Sequence, residues 1–173
     1  MEKHLLEVKN LSISFTQYER GTRQTSLQVI RGLDVTVDPG ELVAVIGSSG
    51  SGKSLLAHAV MGILPYNASA SGEILYRGEV LTPRRQKELR GKEIVLVPQS
   101  VSYLDPLMKV GEQVRNGRRG EAIREKCRRI LGSYGLGPET ENLYPFQLSG
   151  GMTRRVLISS AVMEEPRLVI ADE

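Results

Sequence analysis

The chain of 173 residues carries one cysteine, two histidines and few aromatic residues, and each scarcity removes a class of function. A single thiol excludes a disulfide framework. Cys127 sits between Lys126 and Arg128, cations able to lower a thiol pKa, but with no His or second Cys beside it the residue reads as a helix-borne thiol rather than a nucleophile. His58 has no other His or carboxylate at ligand spacing and reads as a structural histidine. No apolar run approaches the length of a membrane-spanning helix, and the opening Met1-Glu-Lys-His-Leu-Leu-Glu7 lacks the order of a signal peptide. The expectation is a cytoplasmic chain that borrows any membrane role from a partner. Aromatics do not interleave with the basic stretches 84–92 and 115–129, and Glu88, Glu93, Glu121 and Glu125 divide them. With a net charge of only +3, these stretches read as solvated helix faces rather than a nucleic-acid surface. Repeats and low-complexity tracts are absent too, and the ordinary apolar and charged fractions suit one globular domain with a substantial core.

What is present is punctuated by glycine. Leu11, Ile13 and Phe15 alternate with polar residues, and after a polar loop Leu33, Val35 and Val37 do the same, so the first segment reads as strands. Asp38-Pro-Gly40 turns the chain into the apolar run Leu42-Val-Ala-Val-Ile46, expected to be a strand buried on both faces of a parallel sheet. Then comes Gly47-Ser-Ser-Gly-Ser-Gly-Lys-Ser54, followed by a helix from about Lys53 to Gly62. This is a P-loop in its proper setting of strand, glycine-rich turn and helix. A phosphate chain lies there against bare backbone, where a Cβ at Gly50 or Gly52 would obstruct the turn or the approach. Successive N–H groups form a nest at the positive end of a helix dipole. Lys53 supplies a charge for the β- and γ-phosphates, and the Ser54 hydroxyl is placed to ligate Mg²⁺.

Further on, Gly72-Glu-Ile-Leu-Tyr-Arg-Gly78 reads as a short strand and residues 79–92 as part loop, part helix. Ile94-Val-Leu-Val97 reads as a buried strand running into Pro98-Gln99, and Val110 to Gly135 as mostly helical, with Ile123, Cys127, Ile130 and Leu131 on one stripe. Ser149 is placed to cap a helix from about Gly150 to Glu164, stopped by Pro166. Leu168-Val-Ile-Ala171 is a third apolar strand, ending in Asp172-Glu173. In doubly wound sheets the ligand lies beyond the carboxyl ends of the strands, where Ser54, Gln99, Asp172 and Glu173 can converge. Asp172 would then hold Mg²⁺, Glu173 would accept the proton of a water attacking the γ-phosphate, and Gln99 would sense the metal or orient that water.

With Leu148-Ser-Gly-Gly-Met152 added, the chain resembles the ATP-binding subunits of ABC transporters. The P-loop, Gln99, the Leu-Ser-Gly-Gly signature and the terminal Asp-Glu stand in the family's order and spacing. Tyr144-Pro145, Gly-Gly-Met-x-x-Arg and Gly62-Ile-Leu-Pro65 are similar to the peptide/nickel importer branch. The resemblance implies an α/β P-loop fold with an N-terminal antiparallel β subdomain, a mostly parallel core sheet and a helical subdomain at about residues 100–147, within one incomplete ATPase domain spanning 1–173. It implies ATP and Mg²⁺ as ligands. Nucleotide contacts would come from Phe15 against the adenine and from Gly47, Ser48, Ser49, Gly50, Ser51, Gly52, Lys53, Ser54 and Leu55. Ser54, Gln99 and Asp172 would hold the metal, and Glu173, Gln99 and Lys53 would serve catalysis. Ser149, Gly150 and Gly151 would reach the γ-phosphate of a second subunit in a head-to-tail dimer. Permease subunits, and indirectly an extracytoplasmic substrate-binding protein, are the implied partners at the cytoplasmic face of the membrane, with no nucleic acid. Met152 stands where the general pattern has Gln. The family also continues past the Asp-Glu with a D-loop, a further strand and a switch histidine that neither His4 nor His58 matches. The chain therefore reads as cut short, with its core sheet lacking a strand. A nucleotide-binding fragment without turnover, or a soluble P-loop ATPase uncoupled from transport, remain the alternatives.

Overall fold

In the computed structural model, which describes residues 4–18 and 24–172, the chain divides into two compact units, Met1–Leu89 and Arg90–Glu173. The first is built on an antiparallel sheet. Strand β1 (Leu6–Tyr18) lies between β2 (Gln24–Val37) and β3 (Ala68–Tyr76), and β3 pairs in turn with β4 (Glu79–Val80). The apolar spacing of β1 explains why it is longer than its alternation suggests. Leu6 and Val8 are buried, and so are Leu11 and Ile13, which breaks the period of two. The slip is absorbed at Asn10, where φ is +50°: Lys9 and Asn10 together oppose one residue of β2 between the pairs Val8–Val35 and Leu11–Leu33. The Asn10 N–H donates to Asp34 Oδ1 at 2.8 Å. A bulge of this kind keeps both halves of a strand facing one core. Helix α1 (Lys53–Met61) contributes Ala57, Ala59, Val60 and Met61 to the buried residues, and α2 (Pro83–Leu89) holds it through Gln86, whose Nε2 donates to the carbonyl of Ala59 at 2.8 Å.

The second unit contains the parallel pair β5 (Ile94–Val97) and β6 (Leu168–Ala171), in register from Ile94–Leu168 to Val97–Ala171. Around it lie α3 (Val110–Val114), α4 (Glu121–Ser133) and α5 (Gly150–Val162). Their shared core includes Val110, Val114, Cys127, Leu131, Val156 and Met163, with Ile123 and Ile130 packed beside it, so the α4 stripe faces inward as its spacing predicts. Burial pushes the Cys127 thiol up, with Glu141 adding to the effect, against the opposing Arg115 and Arg128. Its cationic sequence neighbours do not decide its chemistry, because loss of hydration outweighs them.

Two expectations need correction. Residues 42–46 form no strand: Leu42 is 97% and Ile46 93% exposed. A parallel strand needs ladder partners for its backbone N–H and C=O groups, and among the described residues β5 and β6 pair only with each other and offer it none. The parallel sheet is therefore two-stranded here, and Val169 on β6 is left 45% exposed. The basic stretch 115–129 is also more than a solvated face. Arg115 bonds Glu141 at 3.0 Å with both side chains largely buried, Arg128 bonds the same carboxylate at 3.0 Å, Lys126 pairs with Glu165 at 2.6 Å, and Arg118 pairs with Glu164. Much of its positive charge is neutralised within the unit.

Candidate functional site

The P-loop spans an exposed turn and the half-buried start of α1. Gly52 is the N-cap residue of α1, with φ +96° and ψ +10°. An added Cβ there would lie 3.1 Å from Ile30 Cγ1 and 3.2 Å from Val29 Cγ1, so both dihedral and packing demand glycine. At Gly50, with φ +78°, nothing stands within 4 Å of an added Cβ, and the demand is on the dihedral alone. The N–H groups of Leu55 and Leu56 turn inward to the Gly52 carbonyl at 3.0 and 3.2 Å. The N-cap residue makes no side-chain cap hydrogen bond, and the first turn of α1 carries no acid. That is the electrostatic profile of an anion site. The Lys53 ammonium reaches back over the loop and donates to the carbonyls of Gly47 and Ser48, both at 2.8 Å.

A cleft of about 290 Å³ opens beside this loop, lined by Gly47, Ser51, Gly52 and Lys53 and by Val29, Ile30, Arg31 and Leu33 of β2. Apolar walls next to a phosphate nest suit a ligand with a sugar or base at one end and phosphates at the other. Sequence reasoning missed the β2 wall, because the alternation of Leu33, Val35 and Val37 breaks before Ile30 and the strand's first half carries no clear period. Ser48, Ser49 and Gly50 form the exposed tip of the loop, while Ser54 and Leu55 are half-buried on α1. Phe15 is half-buried on β1, paired with Leu27 and Ala68, and is not among the described residues lining the cleft.

The second unit holds the remaining candidates. Gln99 lies exposed two residues beyond the end of β5, and Asp172 directly follows β6. The Asp172 N–H donates to the Val97 carbonyl at 3.0 Å, so the parallel register delivers both residues to one carboxyl edge. Glu173 lies outside the described residues. Ser149 caps α5 as its spacing predicts, with Oγ accepting from the Met152 N–H at 3.3 Å. Gly150 and Gly151 follow at an open surface, where an added Cβ meets nothing within 4 Å. Arg155 gives this helix start a brace: Nε donates to the Gly151 carbonyl at 3.2 Å, and Nη1 to the carbonyls of Tyr134 and Gly135 at 3.2 and 3.3 Å. The Gly-Gly-Met-x-x-Arg spacing was visible in the sequence, but the brace was not, since its partners lie some 20 residues upstream. Among the described residues no cluster of three His, Cys, Asp or Glu could hold a metal alone.

The family model for the ABC transporter matches residues 30–173, from the β2 wall through the P-loop and the α5 start to the carboxyl edge. The chain belongs to the ABC transporter family. It is 39% identical over 183 residues to the oligopeptide transport ATP-binding protein OppD of Bacillus subtilis, covering 98% of this chain and 50% of that protein. It is 37% identical over 187 residues to the dipeptide transport ATP-binding protein DppD of the same organism, covering 100% and 54%. With the glutathione import ATP-binding protein GsiA of Pectobacterium atrosepticum it shares 36% over 192 residues, covering 99% and 30%. The chain thus spans about half the length, or less, of these relatives. Among solved structures it is similar to the dimeric post-hydrolysis state of the ATP-binding cassette MJ0796 bound to ADP and Pi, with a TM-score of 0.78 and 27% identity over 97% of this chain and 73% of that one. It is also similar to cbiO1 of Clostridium perfringens, with a TM-score of 0.71 and 27% identity over 98% and 65%. The fold class is that of the ABC ATPase cassettes: an antiparallel sheet beside the P-loop, and a unit of parallel strands with helices.

Proposed function

We propose that this chain is the ATP-binding and hydrolysing part of a peptide importer, docked at the cytoplasmic face of the membrane on permease subunits and fed indirectly by an extracytoplasmic binding protein. The observation that carries the proposal is the joint presence of a P-loop cleft and a capped signature helix in a chain whose relatives are named for oligopeptide, dipeptide and glutathione transport. The loop and Lys53 bind the polyphosphate. Ser54, Gln99 and Asp172 would hold Mg²⁺, which would supply positive charge to the polyphosphate. Glu173 takes the proton of the attacking water. Ser149, Gly150 and Gly151 present the positive end of α5 to the γ-phosphate bound by a second subunit, so that a complete site needs two chains head to tail. The adenine contact carried over from the family resemblance is Phe15, which is not among the described residues lining the cleft. Peptides are the favoured cargo over nickel or other chelated metals, because all three relatives above carry peptide-class names. Among the described residues no helix is long and apolar enough to cross a membrane, in keeping with work done through a permease.

Phosphate release by the purified protein tests the reading. Hydrolysis of MgATP that disappears in Lys53→Ala, together with recovery of the full-length protein bound to a membrane permease, is the expected result. Stabilisation by MgATP without any turnover leaves a nucleotide-binding fragment. Turnover with no permease partner leaves an uncoupled ATPase. The absence of both MgATP binding and turnover would sink the proposal outright.

A further inference from the structure

We propose that Arg31 is a second phosphate-facing cation of the cleft, acting beside Lys53 on the polyphosphate; this rests on the nucleotide-binding reading above. Regular strand alternation would send Arg31 and Ile30 to opposite faces of the sheet, yet Val29, Ile30 and Arg31 all line one cleft. A second bulge interrupts the alternation at this point. Ile13 pairs with Ile30 and Leu11 with Leu33, so Arg31 and Gly32 together oppose Ser12. Gly32 takes φ +55° and donates its N–H to Ser12 Oγ at 2.9 Å rather than to a strand carbonyl. An added Cβ at Gly32 would stand 3.2 Å from Asn10 Oδ1. Bulges of this type alter where side chains are presented, and Arg31 is the charged residue of this one.

The cleft's chemistry says what that guanidinium is for. Its lining holds two cations, Lys53 and Arg31, and no acid among the described residues. Two of the Lys53 donors are already directed at loop carbonyls. The Arg31 side chain is exposed, and no hydrogen bond or ion pair engages it among the described residues. A planar fork of N–H donors matches phosphate oxygens in a way an ammonium cannot. Because Arg31 is exposed, its contribution is screened by salt, and this makes the proposal testable.

Calorimetric titration of the intact protein with ATP, repeated from low to high KCl, compares the wild type with Arg31→Ala, Arg31→Gln and Arg31→Lys. Thermal unfolding of each variant is measured in parallel. Arg31→Ala and Arg31→Gln should weaken ATP binding by roughly three- to ten-fold at low salt, shrinking toward none at high salt, in line with a single screened charge-assisted contact. Arg31→Lys should keep most of the salt dependence. An unchanged ATP affinity in Arg31→Gln overturns the proposal. So does an affinity loss that is independent of salt and follows a lower melting temperature, which would make Arg31 a structural member of the bulge. If the wild type binds no ATP, the nucleotide-binding reading itself fails, a result distinct from either of these.

Discussion

Cys127 is completely buried among apolar side chains of the second unit, and burial holds its thiol pKa above the ordinary value of 9.0. The sign of the linkage follows. Because the folded pKa is raised, the stability tied to the neutral thiol is fully present below about pH 9 and is lost as pH climbs through the folded value. Denaturant midpoints measured from pH 7 to 10 should therefore fall above pH 9, and Cys127→Ala should flatten that fall. An equally steep fall in the variant would assign the effect to other groups. The same burial predicts that a thiol reagent at pH 8 modifies the native protein far more slowly than the urea-unfolded one. At this scale much of the candidate site was legible in the sequence. Lys53, Ser54 and Ser149 belong to short local patterns, and a local pattern needs only its neighbours to act: the Ser149 cap spans three residues. Arg31 and Arg155 were not legible, since their surroundings are set by a bulge and by residues far along the chain.

Among the elements, α3, α4 and the 3₁₀ turn Pro138–Asn142 are joined by one carboxylate. Glu141 bonds Arg115, which is 14% exposed, and Arg128, which is 53% exposed. Removing the shared partner leaves Arg115 as a largely buried unpaired charge, whereas removing Arg128 leaves Glu141 still paired. Glu141→Ala should lower the unfolding free energy of this unit by about 3 kcal/mol, the low end for a broken buried pair. Arg128→Ala should cost under about 1 kcal/mol, as for an exposed pair. Urea denaturation followed by circular dichroism separates the two, and equal effects would show that the burial of Arg115 does not matter. The strands show where element-scale reasoning fails. Residues 42–46 have the composition of a buried strand, but composition only declares that a segment can be buried. Whether it is depends on a ladder partner, and among the described residues there is none. Strands β1 and β2 outran their apparent alternation because bulges at Asn10 and Gly32 shift its phase.

For the whole molecule the testable matter is the second copy. Gly151 stands in the first turn of α5 with open space around its Cβ position, and a carboxylate there complements the helix dipole. Gly151→Asp should accordingly keep or slightly raise the melting temperature. By setting a negative charge where the proposed dimer brings a γ-phosphate, it should also abolish ATP-induced dimerisation and turnover while each subunit still binds ATP. Sedimentation with and without MgATP, beside a binding titration, reads all three. A variant that dimerises normally would remove the signature from the trans site. Loss of ATP binding by the lone subunit would instead place the signature in the subunit's own pocket.

By itself the sequence determined the features that lie in contiguous residues: a P-loop pattern leading into a helix, a Ser-capped helix start, and apolar strands running on to Gln99 and Asp172. These are local because helix caps, dipoles and glycine dihedrals act over a few bonds. The tertiary structure alone decided which apolar segments are covered, how the β2 bulge joins the P-loop to form a cleft, and which arginines are neutralised by distant carboxylates. Those outcomes depend on ladder pairing, packing and desolvation between residues far apart in the chain, and no window of neighbouring residues contains them.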